Sequence, residues 1–171
     1  MFPWPEIGHN SPHFGQTIPM ETRNEIKEFG KNFFKCGVAG WCLEILFTSM
    51  ESIAAKDMRL MGRTSLLMFP IYGMGALLGP ISRGMDRWLG DAKTLNLKDK
   101  FWRHGLNDMV LIFLAEYLSG AFLRARNMCP WDYSGRLFSI DGLIRLDFAP
   151  FWFGTGLLFE RLTLGKYRKN T

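Results

Sequence analysis

Residues 108–134 read Asp-Met-Val-Leu-Ile-Phe-Leu-Ala-Glu-Tyr-Leu-Ser-Gly-Ala-Phe-Leu-Arg-Ala-Arg-Asn-Met-Cys-Pro-Trp-Asp-Tyr-Ser. The first part predicts an apolar helix in which Glu116 is the only charged residue between Met109 and Leu123. A carboxylate in such surroundings requires a partner or a water-filled cavity, because its charge is costly away from water. The second part predicts a compact turn, rich in aromatic and polar side chains. The segment therefore predicts an apolar helix with a polar centre, followed by a structured turn.

Charged residues are segregated along the chain, although its average composition resembles that of a soluble protein. The 171 residues are enough for one domain, and 22% of them are charged while 47% are apolar. The mean hydropathy of −0.02 is low for a membrane protein. However, no charge occurs between Thr64 and Ser82, and Glu116 is alone in its run. This segregation favours apolar spans joined by polar connections.

Four apolar runs, taken with their flanks, approach the roughly 20 residues that a membrane-spanning helix needs. They are Asn32–Met50, Thr64–Ile81, Gly105–Leu123 and Phe148–Leu162. Two prolines and a Gly-x-x-x-Gly spacing in the second run predict a kink and close helix contact: Pro70, Pro80, Gly75 and Gly79. We predict an all-α integral membrane protein, a bundle of four transmembrane helices with a kinked second helix. A soluble helical bundle with paired buried charges is the alternative.

The basic residues concentrate in the connections and termini. We predict an irregular N-terminal tail and amphipathic lead-in over residues 1–31, a four-helix membrane domain over 32–162 and a basic C-terminal tail over 163–171. Most Lys and Arg residues lie on the side shared by the termini and the second connection, which predicts cytoplasmic termini in the cell membrane. The net charge of +5 also suits an anionic lipid surface. The chain lacks zinc-finger, RNA-binding and helix-turn-helix patterns, so the lipid bilayer and not nucleic acid is the predicted partner.

A polar centre is predicted where acidic side chains share a helix face with small residues. On the first span, Gly40 and Glu44 lie one turn apart on the same face. On the third span, one stripe recurs at every fourth residue: Asp108, Ile112, Glu116, Gly120 and Arg124. We expect Glu44 to meet Glu116 across the core, where two carboxylates would share a proton or a cation. The candidate site residues for an ion or a substrate are Glu44, Tyr72, Glu116 and Asp147. Structural hydrogen bonding of these acids is the alternative.

Enzyme chemistry has less support than transport or lipid handling. The chain contains no Gly-x-Ser-x-Gly motif, no nucleotide-binding P-loop and no Cys-x-x-Cys pair, so no cofactor or metal is predicted. His104 is expected at the inner interface, on the opposite side from Cys129. The polar cluster Cys129, Asp132, Tyr133 and Ser134 nevertheless leaves open a membrane-embedded enzyme that modifies lipids. A structural or accessory membrane subunit is a third possibility.

Several short motifs together resemble a known bacterial family. The outer-face motif Cys129-Pro130-Trp131-Asp132-Tyr133-Ser134, after a helix with an internal Glu, is its most specific element. The other matching positions are Trp41-Cys42-Leu43-Glu44, Pro70-Ile71-Tyr72-Gly73, Glu116, Gly120, Leu123-Arg124, Gly142-Leu143-Ile144, Phe151-Trp152-Phe153 and Glu160. From about Gly40 to Glu160 the chain resembles the CmpB-like ABC-transporter permease family, which is similar to the animal transmembrane protein 229 family.

The resemblance implies a small multi-pass membrane protein with a part in transport. Because this chain has no nucleotide site, the resemblance also implies that any ATPase is a separate subunit. Asp147 stands at a position where relatives often carry Glu, so the acid matters more there than its length. Residues 1–31 lie outside the resemblance.

Overall fold

The computed structural model describes residues 19–54, 56–90 and 95–164, and it is mainly helical. The helices are α1 (Met20–Ala54), α2 (Met68–Gly73), α3 (Leu78–Trp88), α4 (Leu97–Arg124) and α5 (Ala149–Thr163). Two 3₁₀ segments, Met74–Leu77 and Leu146–Phe148, and two short strands, β1 (Ser139–Ile140) and β2 (Ile144–Arg145), complete the fold. The first 18 residues of the predicted N-terminal tail, and the predicted C-terminal tail from residue 165 onward, lie outside the described residues.

Two of the helices are long enough and apolar enough to cross a membrane. They are Met20–Met50 within α1 and Leu97–Arg124, the whole of α4. Only 17% and 22% of their most apolar windows are buried within the protein, whereas the core helix of a soluble protein would be mostly buried. Their apolar surface therefore faces outward, as it does in helices that contact lipid.

The two faces of α4 have the polarity expected inside a membrane. Large apolar side chains repeat every fourth residue on its outer face, and each is more than half exposed: Val110, Leu114, Leu118 and Phe122. On the inner stripe, Asp108, Glu116 and Gly120 are buried. A helix of a soluble protein places its apolar stripe inward and its charges outward. On α4, by contrast, the acids of the predicted polar centre lie on the buried side and the large apolar side chains lie outside.

The second predicted span, Thr64–Ile81, forms two helices and not one. Pro80 has no amide hydrogen, so it cannot donate to the Ala76 carbonyl one turn earlier, and its ring crowds that carbonyl. The chain winds as a 3₁₀ helix at Met74–Leu77 and resumes as α3. The fourth predicted span corresponds to α5, whose 15 residues extend about 22 Å. Both are shorter than α1 and α4, so spanning by these two segments stays a prediction.

Glycines allow the helices to approach closely around the core. A methyl group added at Gly40 of α1 would overlap the Tyr72 ring of α2, and one added at Gly75 would overlap the Phe159 ring of α5. The buried cluster Cys36, Ala76, Leu78 and Phe159 lies between these contacts. The face predicted from Gly40 is therefore a close helix contact, which places Tyr72 and Glu44 side by side.

The segment between α4 and α5 is folded back on the end of α4. β1 and β2 pair antiparallel, with Ser139 opposite Arg145 and Ile140 opposite Ile144. The Trp131 indole donates to the Leu143 carbonyl at 3.0 Å, and both side chains lie against Gly120 of α4. Because Gly120 has no side chain, this segment can reach the inner stripe of the helix.

Candidate binding site

A cavity of about 580 Å³ lies among α1, α2, α4, α5 and the segment after α4. Its volume is in the range of roughly 300–1,000 Å³ that ligand pockets occupy. Three of the four candidate site residues line it, namely Glu44, Tyr72 and Glu116. The outer-face motif contributes Pro130, Trp131, Asp132 and Tyr133 to the same wall. Residues far apart in the sequence thus meet at one polar cavity.

Glu44 is half-buried and hydrogen-bonded by neutral donors. The Thr64 hydroxyl donates to its Oε2 atom at 2.6 Å, and the Tyr72 hydroxyl also bonds its carboxylate. Glu116 faces the same cavity, but no hydrogen bond joins the two carboxylates within the described part of the chain. The predicted meeting of the two acids therefore takes the form of two carboxylates on one cavity, each with its own donors.

Glu116 is buried, with 8% of its surface exposed, and its hydrogen bonding is incomplete. The Tyr133 hydroxyl lies 3.4 Å from Oε1, which is long for such a bond. The Trp152 indole lies close enough to act on this carboxylate as a donor, but the contact falls short of hydrogen-bond geometry, so neither its Nε1 atom nor Glu116 Oε2 has a well-formed partner among the described residues. An unpaired buried polar group costs about 1–3 kcal/mol. A water molecule in the cavity could accept from the indole and donate to Oε2, whereas a donor group of a ligand would satisfy Oε2 alone.

The outer-face motif is a structural turn with one wall on the cavity. The Ser134 hydroxyl and backbone amide both donate hydrogen bonds to the Asp132 carboxylate, and these bonds hold the pKa of Asp132 below its usual range. The hydrogen bond from the Ser134 amide is 2.9 Å long. Cys129 donates its thiol to the Trp131 carbonyl at 3.2 Å. Burial raises the pKa of Tyr133, so its hydroxyl remains a donor. Cys129 and Ser134 do not line the cavity, and their contacts maintain the turn.

Asp147, the fourth candidate, lies outside the cavity wall. Its carboxylate pairs with Arg145 at 2.6 Å, and this guanidinium holds the pKa of Asp147 below its usual range. Arg145 itself lines the cavity and lies over the Phe148 ring at 4.2 Å. Asp147 therefore positions a cationic side chain at the site and does not contribute its own carboxylate.

A second buried polar cluster joins α3, α4 and α5. His104 is 4% exposed, and its Nε2 and Nδ1 atoms each lie 2.9 Å from a carboxylate, Asp86 and Glu160 respectively. Both neighbours are acceptors, so either the ring donates from both nitrogens or one carboxylate carries the proton. Arg103 also pairs with Asp86. The predicted interfacial His104 thus links three helices in the interior.

Asp108 lies one helical turn from His104 and is fully buried. Its Oδ1 atom accepts from the Ser82 hydroxyl at 2.9 Å, and the Asn107 amide donates to that hydroxyl at 2.8 Å. Its Oδ2 atom has no partner among the described residues. The spacing of four residues that identified Glu116 continues backwards through Asp108 to His104. Extending the stripe by one more turn would therefore have placed His104 on the buried face of α4.

The fold and the site together define a helical membrane protein with an internal polar cavity. The family described as "Putative ABC-transporter type IV" matches residues 31–169, and the chain belongs to this family. This match confirms the resemblance to the CmpB-like transporters, while the similarity to the transmembrane protein 229 family stays a prediction. No solved structure matches the chain significantly. Within the described residues, no three His, Cys, Asp or Glu side chains are grouped to hold a metal ion.

Proposed function

We propose that this protein is a permease-like transport component that binds a solute in the cavity between Glu44 and Glu116. The observation that carries the proposal is the buried Glu116 carboxylate on the cavity wall, because neither its Oε2 atom nor the neighbouring Trp152 indole nitrogen has a well-formed hydrogen bond among the described residues. A purely structural Glu would be expected to have its donors within the protein. Membership of a transporter family supports the same conclusion.

The proposed arrangement in the cell membrane has four spans, with α1 and α4 crossing fully and the α2–α3 pair and α5 completing the bundle. Residues 32–162 form the membrane domain, and the excess of Lys and Arg favours cytoplasmic termini. Energy from ATP would require a separate subunit, since the sequence has no P-loop. The intramembrane carboxylates then belong to the transport pathway of this subunit.

A lipid-modifying enzyme has weaker support. A catalytic pairing of Cys129 with His104 is disfavoured because the two lie near opposite ends of α4, about 30 Å apart along the helix axis. The contacts of Cys129, Asp132 and Ser134 maintain the turn. A structural or accessory subunit remains the main competitor, and it would not need the unpaired groups of the cavity.

The transport proposal predicts that Glu116→Gln lowers solute uptake without unfolding the protein. The variant keeps the size of the side chain but removes an acceptor whose charged hydrogen bond is worth about 1.5–3 kcal/mol, or roughly 10- to 150-fold in affinity. Uptake of radiolabelled cationic, anionic, zwitterionic and neutral solutes into proteoliposomes would be measured. Glu25→Gln, on the exposed start of α1, is the matched control. If Glu116→Gln took up every solute at the same rate as the unchanged protein, this result would contradict transport through the cavity and favour an accessory role.

A further inference from the structure

The cavity is layered along the axis of α4. At one end, Leu78, Leu111 and Phe159 form an apolar floor. Glu116 lies five residues further along α4, which is about 7.5 Å toward the segment that follows the helix. The apolar floor, the level of Glu116 and the opening can therefore each contact a different part of a ligand.

The level of Glu116 suits an ammonium group. Glu116 Oε2 is a buried acceptor without a partner among the described residues. The aromatic side chains Tyr72, Tyr133 and Trp152 line the cavity, and all three lie close enough to the Glu116 carboxylate to interact with it. Carboxylate oxygens accept from ammonium groups, and aromatic ring faces attract them. A cationic nitrogen at this level would meet both kinds of partner.

The opening has more cationic than anionic groups, and the exposed carboxylate there, Asp132, already accepts a backbone hydrogen bond. Arg63 and Arg136 line the cavity and are exposed, which places them at its mouth. Neither guanidinium has a side-chain partner among the described residues, in contrast to Arg145, which pairs with Asp147. Guanidinium groups bind carboxylates and phosphates through paired hydrogen bonds. A solute with an anionic group could be held at the mouth.

We infer that the ligand of the cavity is a zwitterion with an apolar portion, its ammonium group at Glu116 and its carboxylate or phosphate at Arg63 and Arg136. This inference rests on the proposed function and names its solute class. A simple cation would meet the two arginines at the entrance, and a simple anion would meet Glu44 and Glu116 inside. Opposed charges of this kind exclude the wrong partner as much as they attract the right one. Two sources supply the chemistry: a free apolar amino acid, or the headgroup of an aminophospholipid.

Equilibrium binding to the full-length protein tests the inference. The probes are L-leucine, its amide without the anion, 4-methylpentanoate without the ammonium group, and O-phosphoethanolamine. The same measurements in nanodiscs of phosphatidylethanolamine and of phosphatidylglycerol separate the lipid source from the soluble one. If the ligand is a lipid headgroup, phosphatidylethanolamine would compete with the soluble probes and phosphatidylglycerol would not. We expect L-leucine, which has both charges and an apolar portion, to bind at least about tenfold more tightly than its two analogues with one charge.

Two variants assign the two ends of the ligand. Glu116→Gln and Arg136→Gln should each weaken zwitterion binding about tenfold. Arg136→Gln should leave the weak binding of leucine amide unchanged, because the amide has no anionic group. Glu25→Gln and Arg126→Gln are the controls, since both side chains are exposed and lie outside the cavity. Equal binding of a singly charged analogue, or no binding of either zwitterion, would overturn the inference.

The result separates this inference from the proposed function. Glu116-dependent uptake of a singly charged solute would preserve transport and refute the zwitterion. Zwitterion binding that depends on Glu116 and Arg136, without uptake of any solute, would support the ligand class and refute transport. Failure of both measurements would refute both proposals.

Discussion

Replacing His104 with Leu should lower the free energy of unfolding by about 3–5 kcal/mol, the loss typical when one partner of a buried ion pair is removed. The imidazole lies between Asp86 and Glu160 at 2.9 Å from each, and all three side chains are nearly inaccessible to solvent. Leu cannot donate to either acid. Asp86 would keep Arg103, but Glu160 would lose the imidazole that binds both of its oxygens.

The double variant His104→Leu, Glu160→Leu should recover part of the stability, since an apolar pair often replaces a buried ion pair at little cost. Unfolding in mixed micelles as a function of denaturing detergent would measure both effects. A loss below about 1 kcal/mol for His104→Leu would mean that the cluster does not link the helices.

Gly40→Ala and Gly30→Ala should change stability in opposite directions, although both lie in α1. A Cβ atom at Gly40 would overlap the Tyr72 ring, so the close contact between α1 and α2 must open, at a cost of about 1–3 kcal/mol. No atom lies within 4 Å of a Cβ atom at Gly30, where Ala should gain up to about 1 kcal/mol from its helix propensity.

The same unfolding assay measures both substitutions. Gly40→Ala should also weaken solute binding, because Tyr72 lines the cavity and bonds the Glu44 carboxylate. Equal and favourable effects at the two glycines would show that α1 and α2 do not pack as described. Since the two changes are chemically identical, helix propensity alone cannot account for a difference in sign.

The sequence allowed prediction of features that depend on local periodicity. The spacing of four residues identified the inner stripe of α4 with Glu116 and Gly120, and the small-residue face of α1 with Gly40 and Glu44. Pro70, Pro80 and the Gly75–Gly79 spacing predicted a kinked helix with close contacts, and the structure has two helices joined by a 3₁₀ segment there. These features follow from the geometry of one helix, so no knowledge of its neighbours is required.

The rest of the site depends on contacts between distant segments. Tyr133 reaches Glu116 because the segment after α4 folds back over Gly120, and no periodicity encodes that return. Asp147 has the residue type expected for the polar centre, but it pairs with Arg145, which takes the place at the cavity. His104 joins two acids from other helices, and its role becomes visible only when α3 and α5 are packed against α4.

In the proposed arrangement, the inner stripe of α4 faces a water-accessible cavity while its outer stripe faces lipid. Ile112 lines the cavity, and Leu114, two residues away, is exposed on the outer face. Each position would be replaced by Cys in a protein whose native cysteines, Cys36, Cys42 and Cys129, are changed to Ala. A water-soluble thiol reagent reacts with the thiolate, which forms in water and is disfavoured in lipid.

Labelling of the two variants in liposomes is the most direct test. Ile112→Cys should react and Leu114→Cys should not, while both should react after the protein is unfolded in detergent. Protection of Ile112→Cys by a bound solute would further support the cavity as the binding site. Reaction at Leu114→Cys together with protection of Ile112→Cys in the absence of solute would contradict the account, because α4 would then have its outer face in water and no open cavity behind it.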